Sequence, residues 1–140
     1  MNEVFEGNGS CLCGAIRFTA RNAEKSIGAC HCEICRKWGG GPLISTHCGS
    51  EVSFFGGEKI TIYSSSDWAE RGFCKLCGSH LFYRLKKNMH HFIPVGLFED
   101  QNQLALERQS YIDKKPSYYS FSNITHDMTG AEMIKKYGKS

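Results

Sequence analysis

The chain has 140 residues and a mass of 15.7 kDa. At about 100–200 residues per domain this allows one domain and excludes multidomain machinery. Hydrophobic residues make up 41% and charged residues 22%, as in a globular protein, and the net charge of +3 is too small to indicate a nucleic-acid or membrane partner.

Residues 1–10 lack the basic end and apolar run of a secretory leader. The longest nearly apolar stretch, residues 92–98, contains Pro94 and Gly96 and falls short of the roughly 20 residues of a membrane helix. The expected location is the cytoplasm. In a reducing compartment cysteines are metal ligands or reactive thiols before they are disulfides, and this chain has eight.

In chain order, short β-rich runs punctuated by glycine predict strands over residues 15–20, 43–47, 52–55, 59–63, 80–85 and 91–95. The pattern is that of a mainly β domain built on antiparallel sheet. Residues 58–63 alternate polar and apolar side chains behind Gly56-Gly57, which predicts a hairpin at the two glycines. Helical periodicity is confined to a turn over 33–38 and a short helix over 131–137. Residues 99–103 read as a turn, so the whole chain, 1–140, is expected to form a single domain.

Seven of the eight cysteines fall into three groups: Cys11 with Cys13, Cys30 with Cys32 and Cys35, and Cys74 with Cys77. A structural zinc takes four thiolate or imidazole ligands in a closed tetrahedron, usually as two short pairs from separate turns. Joining Cys11 and Cys13 to Cys74 and Cys77 supplies that set and staples the chain across a loop of about sixty residues. Gly14 and Gly78 follow each pair and let the backbone bend so that amides point at the sulfurs. The middle group offers three thiolates within six residues, which leaves a tetrahedral metal one position for water or a substrate atom. The competing readings are a closed site completed by Cys48 or a histidine, and a redox dithiol of Cys32 and Cys35, a motif that normally accompanies a βαβ pattern absent here.

These groups, with their flanks Gly9-Ser-Cys-Leu-Cys-Gly-Ala-Ile-Arg-Phe18, Cys30-His-Cys-Glu-Ile-Cys-Arg-Lys37 with Gly41-Pro42, and Arg71-Gly-Phe-Cys-Lys-Leu-Cys-Gly-Ser79, resemble the glutathione-dependent formaldehyde-activating enzyme family, whose domain is shared with centromere protein V. Three spaced motifs are far more specific than a single C-x-x-C. The resemblance implies a zinc-stapled β-tent fold of small curved sheets and two zinc ions. One is structural on Cys11, Cys13, Cys74 and Cys77, and one catalytic on Cys30, Cys32 and Cys35. It also implies a carbon–sulfur lyase acting on adducts of glutathione, or another small thiol, with formaldehyde or a related small aldehyde. Two departures from the family pattern are the aromatic segment Pro116-Ser-Tyr-Tyr119, where relatives often carry a tryptophan, and Phe98-Glu99 in place of a commoner Leu-Asp.

In such chemistry an open zinc position lowers a bound thiol's pKa, and a proton donor serves the developing alkoxide. His31, inside the ligand run, is the candidate for proton transfer or for support of the ligands, against a reading as a solvated turn histidine. Arg36, Lys37 and Arg71 are cationic neighbours that could orient glutathione carboxylates or be surface charges, Arg71 pairing with Glu70 or Asp67. His47, His80, His90 and His91 have no second ligand at zinc spacing and are expected in packing or surface positions. The alternative to an enzyme is a noncatalytic zinc-bound glutathione carrier or a protein or nucleic-acid binding module.

Overall fold

In the computed structural model, which describes residues 2–138, two sheets close on each other over an apolar seam. The smaller sheet takes β1 (Val4–Ser10), β2 (Arg17–Glu24) and β5 (Val52–Phe55) in the order β1-β2-β5, all antiparallel. The larger holds β3 (Ser26–Cys30), β4 (Leu43–Gly49), β6 (Ile60–Tyr63), β7 (Ala69–Cys74), β8 (His80–Leu85), β9 (His91–Pro94), β10 (Ala105–Ser110) and β11 (His126–Met128). Its order is β11-β10-β3-β4-β9-β8-β7-β6. The mainly β architecture agrees with the sequence expectation, although one of the two sheets is large, with eight strands.

Phe18 and Ala20 alternate on β2 and lie in one buried cluster with Ile93 of β9, Ile16, Phe98 and Cys48. The consecutive Leu81 and Phe82 of β8 both join it where the register of β8 with β7 shifts at Leu81. Phe18 meets Phe98 edge-to-face at 5.1 Å between ring centroids, so the phenylalanine that departs from the family's usual leucine is a core ring. Gly9 is required where β1 crosses the chain at Leu97, because an added Cβ would lie 2.1 Å from the Leu97 carbonyl oxygen.

Two expectations are corrected. Residues 52–55 and 60–63 are strands but not a hairpin, since β5 pairs with β2 in the small sheet and β6 with β7 in the large one. Gly56, in the left-handed region at φ 80°, and a 3₁₀ turn over Gly57–Lys59 carry the chain from one sheet to the other. The alternation of residues 58–63 marks a strand correctly but says nothing about its partner. The larger sheet is also mixed, because β10 runs parallel to both β3 and β11. A parallel pairing between residues near 28 and 108 needs a long connection that local pattern does not reveal. The strands β1, β3, β7, β10 and β11 carry no clean period in sequence; β1, for instance, has Gly7 and Gly9 within seven residues.

The helical turn expected over 33–38 is helix α1 (Glu33–Gly39), which ends at Gly40, in the left-handed region at φ 85°. Trp38 fixes it to the large sheet, stacking on His80 at 4.2 Å and Tyr63 at 6.4 Å and meeting Phe73 edge-on at 5.9 Å. Helix α2 (Gly130–Tyr137) starts with a capping box in which the Thr129 hydroxyl accepts from the Glu132 backbone N–H, while the Glu132 carboxylate accepts from that of Thr129. Among the described residues no helix is long and apolar enough to cross a membrane.

Candidate functional site

The turn after β1 carries Cys11 and Cys13, and the turn between β7 and β8 carries Cys74 and Cys77; the fold sets the two turns against each other. Both are knuckles of the expected kind: Gly14 N–H donates to the Cys11 carbonyl and Gly78 N–H to that of Cys74, with both glycines at positive φ. The Ile16 amide lies 3.4 Å from the Cys11 sulfur, and the Leu12 amide donates across the junction to the Ser79 hydroxyl at 3.0 Å. Ser79 also lies 3.2 Å from the Cys77 sulfur, and its hydroxyl and backbone amide hold that thiol down at about 5.

All four sulfurs lie within 4.8 Å of one another. A tetrahedral zinc with bonds of about 2.3 Å separates its sulfurs by about 3.8 Å. Cys11 and Cys13 stand at 3.6 Å and Cys13 and Cys74 at 3.9 Å, so this donor set fits a metal as it stands.

The second group is assembled from the end of β3 and from α1. Cys30 ends the strand, Cys32 caps the helix and accepts from the Cys35 amide at 3.3 Å, and Cys35 is buried in the first turn. Their sulfurs also lie within 4.8 Å of one another and could hold a metal ion. Hydrogen bonds from Cys30 and Cys35, aided by the Cys35 amide and Arg71, pull the Cys32 thiol to about 2. The same hydrogen bonds push Cys30 far above its ordinary value, so the charge of the trio concentrates on Cys32.

Cys48 does not complete this set. It is fully buried in the seam, donates to the Thr46 carbonyl at 3.5 Å, and burial pushes its thiol up to about 12. Among the described residues the group is a trio of cysteines, and all eight cysteines are free thiols.

Arg71 has a different place from either surface role. It is 3% exposed, its Nη2 donates to the Cys35 sulfur at 3.6 Å, and its guanidinium lies over Tyr83 at 4.9 Å and Trp38 at 5.8 Å. Its Nε is buried with no hydrogen-bond partner. Glu70 pairs instead with Arg84 at 2.6 Å. The arginine is thus the buried counter-cation of the cysteine trio, and a buried charge is tolerated where an opposite charge meets it.

His31 is likewise buried and not a solvated turn residue. Its Nε2 lies 2.8 Å from the Gln109 side-chain oxygen and its Nδ1 2.8 Å from the Tyr119 hydroxyl. Gln109 in turn donates to Thr125 at 2.9 Å. With the amide oxygen as acceptor, His31 carries its proton on Nε2 and accepts from Tyr119 through Nδ1. Burial pushes its pKa down, which favours this neutral form. Tyr119 and Gln109 have no sequence signal beyond the aromatic departure at 116–119. An open cleft of about 360 Å³ flanks α1, lined by Glu33, Arg36, Lys37, Gly40 and Tyr118, so two of the flagged cations share one concavity beside the helix that carries Cys35.

The comparisons with known proteins agree with this arrangement. Residues 6–114 match the family model described as glutathione-dependent formaldehyde-activating enzyme. An uncharacterized lyase of Schizosaccharomyces pombe is 36% identical over 135 residues, 96% of this chain and 98% of its own length. A Halomonas elongata protein that carries the formaldehyde-activating name is 32% identical over 83 residues, 53% of each chain. A crystal structure of a Rhodobacter sphaeroides protein superposes with a TM-score of 0.56 at 26% identity, covering 66% of this chain and 87% of that one. The cysteine motifs, the sheets that bring them together and these likenesses agree: the chain belongs to the glutathione-dependent formaldehyde-activating enzyme family.

Proposed function

We propose that the chain is a carbon–sulfur lyase that forms and cleaves the adduct of glutathione with formaldehyde or a related small aldehyde, with one structural zinc on Cys11, Cys13, Cys74 and Cys77 and a second, catalytic zinc on Cys30, Cys32 and Cys35. The observation that carries the reading is the trio of convergent thiols with a buried arginine against it, a three-ligand set that leaves a tetrahedral ion one open position. Zinc bound there supplies a lowered pKa to an incoming thiol, so that its thiolate forms near neutral pH.

In the forward direction the glutathione sulfur attacks the aldehyde carbon, a carbon–sulfur bond forms, the carbonyl π pair moves to oxygen, and that oxygen takes the proton the thiol gave up. Cleavage runs the same steps backwards, so atoms and charge balance without an oxidant or reductant.

The protein's part is electrostatic. Three thiolates would leave a divalent ion with one net negative charge, which the buried Arg71 guanidinium beside the buried Cys35 offsets. Arg36 and Lys37 line the cleft beside α1 and are the cations able to orient glutathione carboxylates there. His31 acts as a positioning residue: both ring nitrogens are engaged, and its neutral ring fixes the strand end between Cys30 and Cys32. Eight free thiols suit a reducing cytoplasm.

The test is replacement of zinc by cobalt with the visible spectrum followed during a glutathione titration, then turnover of formaldehyde. Two metals per chain, one answering saturably to glutathione, with aldehyde consumption, support the reading. A spectrum that ignores glutathione marks both sites as closed and overturns it in favour of a zinc-bound binding module.

A further inference from the structure

His47 and His90 are 43 residues apart, yet the pairing of β4 with β9 brings their rings together at one end of the large sheet. His47 Nε2 lies 2.9 Å from His90 Nδ1, and His47 Nδ1 lies 2.7 Å from the Glu24 carboxylate at the end of β2. A carboxylate accepts only, so Nδ1 of His47 carries the proton and its Nε2 lone pair faces His90. We propose that His47 and His90 form an accessory site for a divalent transition-metal ion, with Glu24 orienting the His47 ring from behind. A carboxylate on the ring N–H opposite the donor nitrogen is the arrangement that metal-ligating histidines use.

The donor set selects the class of ion, since imidazole nitrogens suit nickel, copper or zinc whereas magnesium and calcium take oxygen. In the metal-free chain His90 Nδ1 donates to His47 Nε2 at 2.9 Å, and this hydrogen bond opens for an ion to enter. Bonds of about 2.1 Å at a right angle span about 3.0 Å between nitrogens, so an ion such as nickel is reached by small turns of the two rings that bring both lone pairs onto one point. His90 then carries its proton on Nε2 instead of Nδ1, with no proton lost.

The site is held in place before any ion arrives. The other Glu24 oxygen accepts from the Asn2 side-chain amide, and the Glu24 carbonyl accepts from the Thr46 hydroxyl at 2.5 Å. His90 follows a tight turn in which Met89 is left-handed at φ 60° and the Asn88 side chain accepts from the His90 amide at 3.0 Å. The His47 side chain is 31% exposed, and an open cleft of about 300 Å³ lies beside Glu24 and His47.

The site stands apart from the cysteine trio. Leu43, opposite Cys30, is four residues back along β4 from His47, about 13 Å of strand.

The experiment is a calorimetric titration of nickel chloride into the zinc-loaded full chain at neutral pH, with both metals counted afterwards. One nickel per chain is expected, with zinc content unchanged. His47→Ala and His90→Ala should each weaken binding at least about tenfold, Glu24→Gln should do so by about 10-fold or more, and His126→Ala, a surface control, should leave it unaltered. In the unmodified protein, nickel should broaden the ring resonances of His47 and His90 ahead of the other four histidines, which tests the site even if a variant misfolds. Nickel taken up only as zinc leaves, no uptake, wild-type affinity in both histidine variants, or broadening elsewhere first would overturn the proposal.

Discussion

The Arg71 guanidinium meets the Cys35 sulfur at 3.6 Å across the junction between β7 and α1, with the cation sealed between Tyr83 and Trp38. Its charge offsets the thiolates, so Arg71→Met should weaken metal retention by the Cys30 group at least tenfold, about 1.4 kcal/mol, within the range of a charge-assisted contact. Arg71→Lys keeps the charge but loses the planar fork and should fall between. Competition with a chromogenic chelator, read separately for the two metals, checks this. Equal weakening at the Cys11 group would mean that the arginine acts through the fold and not through the trio.

The two cysteine groups should fail differently. Cys74 is fully buried, and its group ties the turn after β1 to the one between β7 and β8, so Cys74→Ser should remove the structural metal and unfold the domain. Cys32→Ser touches a helix cap and a half-buried thiol; it should keep most of the circular dichroism while abolishing glutathione binding. Stripping metal with a strong chelator should reproduce the Cys74→Ser result. Similar unfolding in both variants would contradict the assignment of one structural and one catalytic group.

His31 separates a clamp from a proton donor. Tyr119→Phe removes the hydroxyl that His31 Nδ1 accepts from and leaves a buried nitrogen unpaired, which should cost about 1–3 kcal/mol in thermal or denaturant unfolding. The pH profile of turnover should stay where it is, because in the unmodified chain both nitrogens are engaged internally and the ring moves no proton in turnover. A moved profile would return His31 to the proton path.

What could be read in the sequence and what could not divides by range. Cys11, Cys13, Cys74 and Cys77 announce themselves because ligand spacing and the following glycines are local, and the structure brings all four sulfurs together. The strand over His80–Leu85 is legible for the same reason. Arg71 beside Cys35, and Tyr119 and Gln109 on His31, join residues 36, 88 and 78 positions apart, and no local period encodes such pairs. The hairpin expected at Gly56-Gly57 fails because two strands joined by glycines can as readily change sheets as turn back. The charge of Arg71 suggested the surface, and only the buried thiols opposite explain why it is inside.

Gly72 links the fold to the site, since it follows Arg71 on β7 and an added Cβ would lie 2.3 Å from the Phe82 ring. Phe82 is buried between Phe54 and His91 and has little room to retreat. Gly72→Ala should therefore shift β7 against β8 and cost about 1–3 kcal/mol, as overpacking does, lowering the thermal midpoint by several degrees. The displaced strand moves Arg71 from Cys35 as well, so metal retention at the trio should fall with stability. Gly96→Ala is the control, because its Cβ would meet no atom within 4 Å and should change neither. If Gly72→Ala lowers the midpoint while the trio keeps its metal, the placement of Arg71 does not depend on the close packing of β7 on Phe82.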